Sequence, residues 1–382
     1  MQTIYLDYNA TTPLDPAVRE AMLPFLGGEF GNPSSVHHVG RRVRAFLDDA
    51  RDRVATVWRC KPSEIIFTSG GTEANNLAIF GTARLLRDKG RHLITSQIEH
   101  PAVLNCFEYL QRKEGFDVTY LPVDREGRIS PSSLEAAFRP DTVLVSLMAA
   151  NNEVGTVQPA PTFGALCRAR GIAFHTDAIQ CFGKEPFESI HQFNADLVSC
   201  CAHKFHGPKG AGALFIRSPL QPDPILFGGG HENERRAGTE NVAAIAGFAL
   251  ATESFVANPV FRTSSVAALV QGLTACLLKL NGCHILSPVQ GRLENTVSFY
   301  VAESDGLTVI ANLDLAGICA SSGSACSAGS LTPSHVVSAM AYPPAAASAL
   351  IRFSFGRSNT RDDLETVVAL LPDIIRRSQH AS

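Results

Sequence analysis

Two short runs in the middle of the chain carry residue types suited to amine–aldehyde chemistry. One is Cys200-Cys201-Ala202-His203-Lys204-Phe205-His206-Gly207-Pro208-Lys209-Gly210. The other, Asp177-Ala178-Ile179-Gln180, lies 27 residues before Lys204. Each follows a short apolar stretch that reads as a buried strand. A lysine amine can hold an aldehyde cofactor as a Schiff base. An aspartate at a neighbouring strand end keeps a pyridine nitrogen protonated, because a nearby carboxylate favours the charged form. Together they form an electron sink, and so they point to pyridoxal phosphate. Spacing alone does not choose between Lys204 and Lys209. Gln180, about one turn after Asp177, could donate to the ring's phenolic oxygen.

Other motifs extend this reading. Ser69-Gly70-Gly71-Thr72-Glu73-Ala74-Asn75-Asn76 joins a strand to a helix. Gly71 lets backbone amides approach an anion, the helix N-terminus favours negative charge, and Thr72 adds a hydroxyl, so a phosphate fits here. His100, in Glu99-His100-Pro101, could stack on a flat ring and move protons near neutral pH. Arg352 stands alone among apolar residues in Leu350-Ile351-Arg352-Phe353-Ser354-Phe355 and needs a partner. A substrate carboxylate gripped in two places would serve, and so would an internal Asp or Glu.

The run from Gly317 to Ser330 is small and uncharged, and Thr332-Pro333 reads as the N-cap and first residue of a helix. It carries Cys319 and Cys326 on what the composition predicts is a mobile tether. No charged residue lies between Gly317 and Ser334, so nothing local lowers a thiol pKa of about 8.5. Cys200, Cys201, His203 and His206 fit the usual zinc spacings poorly, and no metal is expected. Taken singly, each motif also has an ordinary explanation as a cap, a turn, a loop charge or a strand residue.

The elements that must position these groups are legible as a pattern. Apolar runs at 64–69, 91–95, 142–148, 172–176, 196–200 and 211–216 alternate with helical segments. This indicates an α/β fold built on a mainly parallel sheet buried on both faces. Catalytic groups then gather beyond the carboxyl ends of the strands, where Thr72, Asp177 and Lys204 fall. After about residue 256 the pattern becomes α+β. Strands at 296–301 and 350–355 precede a helix that opens at Thr360, with Asp363 at its capping-box position. The expected division is a large domain at 13–255 and a smaller one at 1–12 and 256–382, the latter carrying the cysteine loop at about 317–334.

The bulk numbers set limits. A chain of 382 residues suits two domains, and 45% hydrophobic with 18% charged residues is ordinary for a globular enzyme. A formal charge of −3 gives no basic footprint for nucleic acid. No segment approaches the roughly 20 apolar residues of a membrane helix, and the first residues do not read as a signal peptide. A cytoplasmic setting is expected. The ten cysteines show no C-x-x-C pairing and read as reduced thiols.

Together these residues resemble the cysteine desulfurases of the class V aminotransferase family. The similarity runs from Tyr5-Leu6-Asp7-Tyr8-Asn9-Ala10-Thr11-Thr12-Pro13 to about Gly356-Arg357. It includes Gly31-Asn32-Pro33-Ser34-Ser35, Asn151-Asn152-Glu153-Val154-Gly155 and Arg235-Arg236-Ala237-Gly238-Thr239-Glu240-Asn241. Ser321-Ser322-Gly323-Ser324-Ala325-Cys326 resembles the subgroup with a long cysteine loop.

The resemblance implies a fold-type-I pyridoxal-phosphate homodimer with a seven-stranded-type sheet. It selects Lys204 over Lys209 and Cys326 over Cys319. It implies that Asp177 pairs the pyridine nitrogen, Gln180 the phenolic oxygen, and that His100 stacks on the ring and assists proton transfer. Gly71, Thr72, Cys201, His203 and, across the dimer, Thr239 are implied around the phosphate. Arg352, Asn152 and Asn32 are implied at the substrate carboxylate. The implied reaction converts L-cysteine to L-alanine and leaves a persulfide on Cys326, for a sulfur acceptor or iron–sulfur scaffold. The family commonly has serine where Cys201 stands, and a thiol is the weaker donor. The tail after Arg377 is short against the extension that some members use to dock a scaffold. Competing expectations are a selenocysteine lyase or transaminase of the same fold, and a non-catalytic sulfur-transfer subunit.

Overall fold

A computed structural model describes residues 3–322 and 332–379. In chain order the strands are β1 (Ile4–Tyr5), β2 (Ile65–Thr68), β3 (His92–Ser96), β4 (Asp117–Leu121), β5 (Thr142–Ser146), β6 (Ala173–Asp177), β7 (Leu197–Cys201), β8 (Gly212–Ile216), β9 (Cys283–Ile285), β10 (Thr296–Val301), β11 (Ile318–Cys319) and β12 (Leu350–Ser354).

Seven of them make one sheet in the order β2-β8-β7-β6-β5-β3-β4. Strand β8 runs antiparallel to both neighbours, and the remaining pairs are parallel. The carboxyl ends of β2, β3, β5, β6 and β7 therefore share one edge. Every residue of β2, β3, β5, β7 and β8 is buried, as expected for strands covered on both faces. The edge strand β4 is half exposed and lacks that continuous apolar signature, so the sequence pattern passes over it.

Helices clothe the sheet by periodicity. In helix His38–Trp58, Val43, Leu47, Ala50, Val54 and Trp58 recur every three or four residues and are buried. Trp58 packs on Phe182 with ring centroids 5.4 Å apart, and Phe248 joins Phe67 and Phe205 at about 6 Å. A second apolar cluster forms around β9, β10 and β12, which make an antiparallel sheet in the order β12-β10-β9. Helix Arg361–Gln379 covers it through Val367, Leu371, Ile374 and Ile375. Its start is the reciprocal box that the sequence predicts. The Thr360 amide donates to Asp363 Oδ2 at 2.9 Å, and the Asp363 amide donates to Thr360 Oγ1 at 3.2 Å.

The N-terminal segment ties the two sheets together. Strand β1 pairs with β11, Asp7 bridges to Ser354, and the Asn9 amide donates to Ser354 Oγ. Three residues later the Thr12 amide donates to the carbonyl of His203. One cap departs from expectation. The helix after the cysteine segment is His335–Ala339, and its N-cap is Ser334, whose hydroxyl accepts from the Val337 amide at 3.1 Å. Thr332 and Pro333 precede the cap. The Thr-Pro pair had suggested a start two residues early, but Ser334 also fits a cap and is further held by Glu153.

Candidate active site

At the carboxyl edge of the large sheet lies a cavity of about 500 Å³. Its floor begins at the β2–helix junction. Gly70 holds φ +154°, a conformation that side chains resist, and a Cβ on Gly71 would run into Ile179 Cδ1. These two glycines bring the first turn of helix Gly71–Leu86 to the cavity, with Thr72 on its wall. Helix N-terminal amides and a hydroxyl are groups that a phosphate uses.

Asp177 ends β6 and is 6% exposed. Asn75 Nδ2 donates to its Oδ2 at 2.7 Å, and the Ile179 amide donates to its Oδ1 at 3.0 Å, so the carboxylate is fixed from two sides. Asn75 escaped the sequence reading. Its signal was present, because a polar residue one turn after Gly71 falls on the helix's inward face and is fully buried.

Lys204 ends a short turn after β7. Its Nζ donates to the carbonyls of Asn9 at 2.8 Å and Ala10 at 2.7 Å. Lys209, the rival by spacing, is exposed and does not line the cavity. Cys200 faces the apolar core, while Cys201 lines the cavity. Burial raises the Cys201 thiol pKa, and hydrogen bonds from the Gly71 and His203 amides work against that rise. His203 reaches Thr11 Oγ1 at 3.1 Å. Burial, with Lys204 and Lys209 adding repulsion, pushes its pKa down to about 3, so the ring is neutral.

His100 caps helix Pro101–Glu114. Its Nδ1 accepts from the Ala102 amide at 3.0 Å, which leaves the ring proton on Nε2. Burial lowers its pKa, Lys204 and His335 lower it further, and Asp177 opposes them. The preceding Glu99 is fully buried, and burial lifts its pKa to about 8. Ser96 Oγ and the Met148 amide donate to its Oε1.

Arg352 sits on β12, 1% exposed, and reaches the cavity from the second sheet. Its Nη2 pairs with Asp7 Oδ1 and its Nη1 donates to the Asn152 carbonyl, both at 2.7 Å. Of the two partners foreseen for this arginine, the structure supplies the internal carboxylate. Gln180 and Asn152 line the same cavity. Asn151, beside Asn152, shapes that loop by accepting from the Glu153 and Val154 amides.

Two foreseen residues are not brought there. Asn32 is exposed, with its side-chain oxygen capping the Ser34 amide, and Thr239 is also exposed. Their neighbours Ser34 and Glu240 line a separate hollow of about 350 Å³. Cys326 lies outside the described residues. The described residues resume on either side at Ser322 and Thr332, and Ser321 and Thr332 meet the site. Ser321 pairs through its backbone with Arg352, its amide at 3.2 Å and its carbonyl at 2.7 Å, and Thr332 lines the cavity. Lys184 and His335 were also missed, being single residues outside any recognisable motif, and Asn9 was read only as a member of the Tyr5–Pro13 block, with no role of its own.

A buried carboxylate and an amine at adjacent strand ends, with a helix N-terminus on the same floor, define a fold-type-I pyridoxal-phosphate enzyme. The chain belongs to the class-V aminotransferase family, which matches residues 4–367. It is 45% identical over 375 residues to the cysteine desulfurase IscS of Dictyoglomus turgidum, covering 98% of this chain and 95% of that one. A solved NifS-like protein superposes with a TM-score of 0.92 at 36% identity, covering 98% of this chain and all of the other. A structure described as SspA in complex with cysteine gives a TM-score of 0.81 at 36% identity, covering 94% of this chain and all of that one.

Proposed function

We propose that this chain is a cysteine desulfurase that converts L-cysteine to L-alanine and takes the sulfur onto Cys326. One observation carries the proposal. The two feet of the cysteine segment, Ser321 on Arg352 and Thr332 on the cavity wall, stand at the same cavity as Lys204 and Asp177. Six residues of tether keep Cys326 within roughly 20 Å of Thr332, a span that includes the cavity.

The residues present fit pyridoxal phosphate. The Gly71–Thr72 helix start, His203 and Cys201 would hold the phosphate, Lys204 the aldehyde carbon, Asp177 the pyridine nitrogen and Gln180 the ring oxygen. When bound, that group supplies an electron sink which acidifies the hydrogen on the substrate's α-carbon. Arg352, with Asn152 beside it, receives the substrate carboxylate in exchange for part of its contact with Asp7. His100 lines the cavity with its Nδ1 already engaged and would stack on the ring, so its Nε2 is the atom that would give or take a proton. The Cys326 thiolate attacks the substrate sulfur, the carbon–sulfur bond breaks, and the products are alanine and a Cys326 persulfide. The balance needs no outside oxidant or reductant.

A second copy of the chain completes the site. Thr239 is exposed here, and the loops carrying Asn32 and Thr239 also expose Phe30, Val36 and Phe227, the last two at 85%. Apolar side chains clustered with polar ones in this way suit an interface. A homodimer would bring Thr239 to the partner's phosphate, and light scattering on the purified chain tests it. The persulfide is then passed to a sulfur-acceptor protein such as an iron–sulfur scaffold, in the cytoplasm. Among the described residues no helix is long and apolar enough to cross a membrane.

The deciding experiment incubates the loaded protein with L-cysteine, quantifies alanine, and weighs the peptide bearing Cys326. A gain of one sulfur atom is expected. Exchange of amino groups with keto acids and no gain in mass would instead make the chain a transaminase.

A further inference from the structure

Lys184 plays no part above, yet it is one of the most enclosed side chains in the molecule. It is 1% exposed and lies four residues after Gln180, in the same run of turns. Its Nζ has amides for partners. It donates to Asn9 Oδ1 at 2.7 Å and to Gln180 Oε1, with the Phe261 ring 5.6 Å away. Enclosing an amine on such partners is costly, so the position calls for a reason.

The hydrogen-bonding chemistry of the amide supplies one. A side-chain amide has an acceptor end and a donor end of nearly the same shape, and its partners decide which way it points. Lys184 offers N–H groups, so Oε1 of Gln180 turns to it. The carbonyl of Asn9 accepts from Gln180 Nε2 at 3.1 Å on the other side. Asn9 is itself fixed by Lys184, by Asn295 Nδ2 at 3.2 Å onto its Oδ1, and by its own Nδ2 to Thr296 Oγ1 at 2.8 Å. The same Asn9 carbonyl receives Lys204 Nζ. Burial drives the Lys184 pKa well down, with Lys204 and Arg352 adding repulsion. A neutral amine still carries N–H groups, so the arrangement holds in either state.

We propose that Lys184 is a positioning residue: it holds Gln180 with its NH2 toward the cavity and holds Asn9 with its carbonyl toward Lys204. The proposal rests on the reading of Gln180 as donor to the ring oxygen. One N–H of Gln180 is taken by Asn9, and the second is then presented to an ionised ring oxygen. Losing that donor removes stabilisation from the anion, so the pH midpoint of the visible band of the loaded protein rises.

The test titrates the visible band of the full-length protein, loaded with pyridoxal phosphate, from neutral to alkaline pH. The chains compared are wild type, Gln180→Ala, Lys184→Met and the double variant. Each single change should raise the midpoint by about one pH unit, the worth of one charge-assisted hydrogen bond. The double variant should match Gln180→Ala, because Lys184 acts through that amide. An unmoved midpoint in Lys184→Met, or full additivity in the double variant, overturns the proposal. If Gln180→Ala does not move the midpoint while wild type still forms the Cys326 persulfide, the role of Gln180 is wrong and that of Lys184 falls with it, but the desulfurase reading stands. Should Lys184→Met fail to fold, a wild-type crystal structure with the cofactor at about 1.2 Å or better decides the matter. Gln180 Oε1 facing the ring oxygen there refutes the proposal.

Discussion

At the scale of single residues, the proposed chemistry is divided between an amine and a thiol, and the two can be separated. Cys326→Ser should keep the yellow colour of the loaded protein and lose the persulfide. Sulfide release at the wild-type rate from that variant, measured with L-cysteine as substrate, would contradict the role. Lys204→Ala should lack the visible band, whereas Lys209→Ala should keep it, since Lys209 is exposed and away from the cavity. Absorbance spectra after dialysis against the cofactor decide between them. The residues legible in sequence were those inside motifs: Lys204, Asp177, His100, Thr72 and Arg352 all meet at one cavity. Lys184 and the role of Asn9 were not legible, because their importance comes from contacts 171 to 195 residues away along the chain.

At the scale of elements, two junctions carry measurable consequences. Gly70 links β2 to its helix at φ +154°, so Gly70→Ala should destabilise the fold by about 1–3 kcal/mol and weaken cofactor retention. Urea unfolding and cofactor dissociation rates check both. Glu99, between β3 and the helix that His100 caps, holds its proton up to about pH 8 because burial disfavours its charged form. The unfolded chain releases that proton above about pH 4.3. The folded state is therefore favoured at low pH, and this contribution is lost as pH rises toward 8. Wild type should lose stability relative to Glu99→Gln between pH 5 and 8, by on the order of 1 kcal/mol per pH unit. Parallel urea curves at several pH values test this, and a constant difference would remove Glu99 from the account. The central strands were readable because both of their faces are buried, which leaves an unbroken apolar run. Strand β4 was not, because its exposed face breaks that run. The helix at Thr360 was readable from its capping box, while the helix capped by Ser334 was placed early by a Thr-Pro pair that resembles a start.

At the scale of the whole molecule, we propose a large lobe at 13–255 and a smaller one formed by 1–12 and 256–382. Arg262 stands near their junction and pairs with Glu185 and Glu294, both at 2.9 Å. Arg262→Ala should raise hydrogen exchange at 256–263 and leave β5, β6 and β7 protected. A uniform rise across the chain would mean a single cooperative body. The fold class was readable because alternating strands and helices admit few arrangements. The closure of the site was not, since it joins distant parts of the chain: Asp7 to Arg352, Asn152 to Arg352, and Asn9 to Lys204. That closure sets an order of events during synthesis. The lysine and its aspartate leave the ribosome long before the arginine that shares their cavity, and Asp7 precedes its ion-pair partner by 345 residues. A nascent chain therefore carries an open half-site until β12 emerges, and the cavity is whole only once that strand has joined it.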